Sequence, residues 1–157
     1  AMHRSLRLLF VGLALLVPAT SQTAIALNGA VYDGFGGPLL AGHVYHVIGT
    51  GAACGIHVPP GQMLTIQAGA IVKVNGCWTV NGTLQALGTA AQPIVVTSIH
   101  DDTAGGDTNQ NGAATRPQPG DWSGADCPGG SVVFEHTTFR YGGRAGAGFF
   151  NLRNGTN

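Results

Sequence analysis

Short apolar segments recur along this chain at a spacing near 22 residues, joined by turns too short for most sheet folds. The segments "HVYHVIG", "GIHVPPG", "MLTIQAG", "AIVKVNG", "WTVNG", "TLQALG" and "PIVVTS", and later "SVVFEHTTFRYGG", each alternate apolar with other side chains. That alternation is the period of a strand with one buried face. Leu64 and Leu84 open matching segments 20 residues apart, while Val58 and Val80, Val72 and Ile94, and Val74 and Val96 are each 22 apart. Parallel strands within one flat sheet need crossovers of about a dozen residues or more, which these turns do not provide. They can join successive sides of a solenoid coil, with equivalent sides stacking in parallel on the next coil. An antiparallel sandwich is the competing arrangement, because "VNG" also resembles a hairpin turn, but a sandwich gives no reason for the spacing to recur.

A solenoid assigns each alternating residue a direction. Leu64, Ile66, Val72, Val74, Val80, Leu84, Ile94 and Val96 then point inward, and Thr65, Lys73, Thr79, Gln85 and Thr97 point outward. No window offers an amphipathic helix, and the 26 glycines argue against helices, whose interiors glycine weakens.

Residues 1–26 read as a secretory signal peptide. Arg4 and Arg7 precede an apolar run from Leu8 to Val17, and Ala24-Ile25-Ala26 forms a small-x-small cleavage pattern. The run ends at Pro18, short of the roughly 20 apolar residues that span a membrane. The expected mature chain, residues 27–157, has no transmembrane segment. It carries Lys73 and four arginines against six aspartates and Glu135, a balance of five against seven or −2. Bulk charge therefore gives no affinity for nucleic acid. Export also permits disulfides. Cys54 and Cys77 stand 23 residues apart, at the same corner of adjacent coils. Neighbouring strands lie about 4.8 Å apart, and a disulfide accepts Cα separations of roughly 4.4 to 6.8 Å. The spacing predicts a Cys54–Cys77 bridge, leaving Cys127 over.

The runs "VPPGQMLTIQAGAIVKVNG", "WTVNGTLQALGTAAQPIVVTS", "DDTAGGDTNQNG", "PGDWSG" and "VVFEHTTFRYGG" together resemble the N-terminal coils of bacterial secreted right-handed parallel β-helix repeat proteins. The resemblance covers about Gly42 to Gly143. It implies an all-β, right-handed parallel β-helix, with this chain as an N-terminal fragment and further coils beyond Asn157. The same coils occur in adhesins, surface proteins and polysaccharide-active proteins, so the fold does not decide the function. "ADCPGG", residues 125–130, departs from the pattern, and the polar insertion is therefore drawn at 99–130.

That insertion begins with "HDDTAGGDTNQNGAATRPQPGDWSG", His100 to Gly124. Asp107-Thr108-Asn109-Gln110-Asn111-Gly112 fits the first half of a calcium loop, where alternate oxygen ligands converge and glycine makes the sharp turn. Gln118 stands where the bidentate glutamate belongs, so Asp101 or Asp102 is the candidate for the missing carboxylate. The candidate calcium ligands are Asp101, Asp102, Asp107, Asn109 and Asn111. A solvated loop whose side chains bond their own backbone is the other reading. Trp122 is either a sugar-stacking platform or a wedge packing the insertion on the coil. His43 and His46 are separated by an odd offset and so alternate faces, unsuited to chelating one ion. The aspartates show no arrangement recognisable as a glycosidase pair.

These residues lead to an expectation of a secreted or cell-surface structural or adhesive module, stabilised by calcium and contacting extracellular polysaccharide or cell-surface glycan. The alternative is the front end of a polysaccharide lyase or glycoside hydrolase, with its active residues on later coils.

Overall fold

The computed structural model describes residues 22–49, 54–143 and 149–153. Among them there is no helix, and nearly all the strands pair in parallel within three stacked sheets, an arrangement compatible with a β-solenoid. The first sheet holds Ile25–Leu27, Val44–Ile48, Ile71–Asn75, Ile94–Ser98 and Thr137–Phe139. The second holds Gly29–Ala30, Ile56–Val58, Trp78–Val80, Ala125–Pro128 and Phe150–Arg153, and the third Met63–Gln67, Thr83–Leu87 and Ser131–Glu135. From Val44 onward the chain visits first, second and third sheet in rotation. Each strand thus lies beside its counterpart about twenty residues away, which is the physical content of the repeat.

The eight residues assigned to the interior are all buried, none more than 1% exposed. Each such Val, Leu or Ile contributes on the order of 2 kcal/mol on removal from water. Leu64 pairs with Leu84, and Val58 with Val80, as their spacing predicts. On the first sheet the expected partners shift by two residues: Val72 pairs with Val96 and Val74 with Ser98. The cause is the longer connection between Leu87 and Ile94, where Thr89 and Gln92 exchange backbone hydrogen bonds in a closed turn. A shift of two preserves the side of the sheet each residue faces, so the interior assignment survives the error in register.

Gly82 shows why the turns carry glycine. A Cβ there would collide with the carbonyl oxygens of Pro59 and Gln62 in the turn stacked beneath it. The Cys54–Cys77 disulfide is formed, with Cα atoms 4.5 Å apart, and Cys127 is a free, buried thiol.

Two segments depart from expectation. Residues 125–128 form a strand, pairing with Trp78 and Thr79 on one side and with Phe150–Arg153 on the other, so the polar insertion closes at Gly124 rather than at 130. "SVVFEHTTF" is two strands on different sheets, because His136 takes φ 41° and turns the corner between them.

The N-terminal edge of the stack is covered. Leu39 exchanges backbone hydrogen bonds with Thr65 and Gln67, and both carboxylate oxygens of Asp33 accept from Thr65. Such cover blunts strand edges that would otherwise recruit another chain. The first strand, Ile25–Leu27, includes the two residues just before the expected leader cleavage point; residues 1–21 lie outside the described residues.

Candidate binding loop

The parallel register of the first sheet places His46, Lys73 and Thr97 side by side in one row. All three point away from the interior, as alternation predicts, yet Lys73 and Thr97 are fully buried and His46 is 9% exposed. Lys73 was expected on the open surface. It is covered because the loop from Ile99 to Gly124 folds back over this face of the sheet.

Each member of the row holds the loop. His46 Nε2 lies 2.7 Å from Thr108 Oγ1, Lys73 Nζ donates to the Gly106 carbonyl at 2.6 Å, and Thr97 Oγ1 donates to Asp101 Oδ2 at 2.6 Å. The loop backbone comes close enough to touch the strand: at Gly105, φ +71°, an added Cβ would lie 2.7 Å from Val44 Cγ2. Only glycine meets both the backbone conformation and the clearance. Ser98, at the end of its strand, donates to Asp121 and ties down the far end of the loop.

The electrostatics follow from burial and from this contact set. Burial lowers the Lys73 pKa, opposed by the carboxylates of Asp102, Asp101 and Asp107. Burial likewise lowers that of His46, and the Lys73 ammonium adds to the effect. For Asp101 burial acts the other way, but hydrogen bonds from Thr103 and Thr97 outweigh it, helped by the Arg140 guanidinium 3.7 Å away, and hold the carboxyl below its ordinary range. Burial and the neighbouring Asp126 raise the Cys127 thiol pKa, which suits a packed rather than a reactive cysteine.

The candidate calcium ligands occupy different positions in this framework. Asp101 is fully buried and spends its oxygens on Thr97 and Thr103. Asp107 accepts the backbone N–H groups of Asn111 and Gly112 at 3.1 and 2.8 Å, an Asx-type turn. Asn109 and Asn111 direct their amide nitrogens to the Ile99 carbonyl and Thr115 Oγ1. Their amide oxygens are buried without a hydrogen-bond partner, as is Asp102 Oδ1. Three orphaned oxygens in one loop are a site short of donors or of a cation. Among the described residues no three His, Cys, Asp or Glu side chains are grouped to hold a metal, so any cation here depends on the two amides.

Trp122 is 1% exposed, its ring stacked 6.2 Å from that of Trp78 and 5.7 Å from that of Phe149. Its Nε1 donates to the Arg140 carbonyl at 2.9 Å. No face of the ring is open to a sugar; the side chain wedges the loop's end into the core.

The outer part of the loop encloses a cavity of about 390 Å³, lined by His100, Asp102, Thr103, Thr115, Arg116 and Gln118, with Ala113 and Pro117. Sequence reasoning passed over both the cavity and the row beneath it. The one available signal was a lone lysine in register with a histidine and a threonine, just upstream of an aspartate-rich segment. Compared with known proteins, the chain matches no family description, no curated protein and no solved structure.

Proposed function

We propose that the chain forms the N-terminal coils of an extracellular right-handed parallel β-helix, acting as a structural or adhesive module that contacts polysaccharide through its strapped loop. The observation that carries this reading is the loop itself. A segment of more than twenty residues is fastened to the stack by a row of polar contacts, and loops held on rigid scaffolds are where proteins place binding residues. The disulfide supports an oxidising compartment, and no helix among the described residues is long and apolar enough to cross a membrane. The aromatic cluster of Phe134, Phe139, Phe149 and Phe150 packs on the core but is only partly buried, which suits a stack continued by further coils.

Calcium is part of the proposal. Asp102, Asn109 and Asn111 offer unpartnered buried oxygens, the hard donors this ion takes. Bound there, it would supply positive charge and fasten the loop. Lys73 already places an ammonium among the same carboxylates, so affinity is weak.

Two measurements test the reading. Sedimentation with a panel of extracellular polysaccharides, with reducing ends assayed in parallel, is expected to show retention without cleavage; new reducing ends would establish the enzymatic alternative. Millimolar calcium is expected to raise Tm by several degrees over a chelated sample, and coincident melting curves would remove calcium from the proposal.

A further inference from the structure

We infer that the cavity in the outer part of the loop is a site for one sugar unit of a neutral polysaccharide, with Asp102 and Arg116 as its principal polar contacts. The inference rests on the polysaccharide-binding reading above and gives it a location, since Trp122, the residue the sequence offered for that role, is buried.

The volume of about 390 Å³ lies within the range of small-molecule sites. The lining selects the ligand class. Asp102 is acceptor-only when ionised, Arg116 is donor-only, and His100, Thr103, Thr115 and Gln118 supply both functions. An anionic ligand would face the Asp102 carboxylate and a cationic one the Arg116 guanidinium. A neutral polyol, each hydroxyl of which donates and accepts, satisfies both. Pro117 and Ala113 add an apolar surface suited to the C–H face of a pyranose ring. Asp102 Oδ1 is buried without a donor, so one wall of the site has an unmet demand for hydrogen bonds.

The lining is also held in place. Thr115 Oγ1 bridges His100 Nδ1 at 3.0 Å and Asn111 Nδ2 at 2.7 Å. Thr103 is fixed by its backbone and side-chain hydrogen bonds to Asp101, itself anchored to Thr97. A chain of contacts therefore runs from the sheet to the cavity wall, and a pre-shaped site loses less entropy on binding.

The test is saturation-transfer NMR on the whole chain with the methyl glycosides of glucose, galactose, mannose, N-acetylglucosamine and glucuronic acid. Transfer is expected from at least one neutral glycoside, with affinity reduced about tenfold in Arg116→Ala and Asp102→Asn. Filling the cavity with Ala113→Phe is expected to abolish transfer with Tm unchanged, which separates lost binding from lost folding. Gln85→Ala, on the third sheet, is expected to bind as the parent does. Polysaccharide retention that all three loop variants leave intact would overturn the site and spare the broader reading. Preference for the glucuronoside would overturn the neutral-ligand assignment, and binding of neither polysaccharide nor any glycoside would overturn site and reading together.

Discussion

The Lys73 ammonium meets the Gly106 carbonyl at 2.6 Å across 33 residues of sequence, and this contact sits at the middle of the strap. His46 and Thr97 flank it on the adjoining strands and reach Thr108 and Asp101. Parallel stacking in register is what lines the three side chains up. The loop therefore spans three successive strands of one sheet and couples them, in addition to the backbone ladder between them.

Removing the lysine should loosen this strap more than a surface substitution would. Lys73→Met leaves Asp101, Asp102 and Asp107 without the buried ammonium, and breaking such an arrangement costs about 3 kcal/mol. A lower Tm and faster nicking between residues 99 and 124 by a nonspecific protease are the expected readouts. If the orphaned oxygens take calcium, the variant should gain more stability from the ion than the parent does, because the competing charge is gone.

The strap should also weaken in acid, in two steps. His46 has a lowered pKa in the folded protein, so the unfolded chain binds its proton first as pH drops below about 6.5, and stability falls from there to the folded-state value. Asp101 is likewise lowered; its contribution is present above the unfolded value of about 3.9 and lost as pH falls through the folded pKa. Thermal melts across pH should show both steps. His46→Gln should remove the first and Asp101→Asn the second, and a flat profile in the parent would contradict the assignment.

The disulfide closes a loop between residues 23 apart. Closing it restricts the unfolded chain, a contribution of about 3 kcal/mol on the loop-entropy argument. The double substitution Cys54→Ala, Cys77→Ala should lower denaturant stability by about that amount, while Cys127→Ala should leave the intact-mass signature of one disulfide unchanged.

Trp122 should behave as a core residue. Trp122→Ala opens a void between Trp78 and Phe149 and leaves the Arg140 carbonyl without its indole donor, at a cost of about 3 to 5 kcal/mol. Trp122→Phe should recover most of the packing but not the hydrogen bond. Glycan retention by a folded Trp122→Phe variant equal to that of the parent would agree with a purely structural role.

The interior of this protein was legible in the sequence because side-chain direction in a strand is local. Alternation placed Leu64, Ile66, Val72 and Leu84 inside, and the corner spacing of Cys54 and Cys77 was enough to pair them. Register was less legible: the long turn after Leu87 moved Val72 from Ile94 to Val96, since spacing averages over turns of unequal length. Neither the fate of Lys73 nor that of Trp122 could be read this way. Alternation says which way a side chain points from its own strand. Whether another segment lies over that face depends on where a loop of more than twenty residues comes to rest, and only the folded chain, through contacts such as those of Gly105 with Val44 and Lys73 with Gly106, decides it.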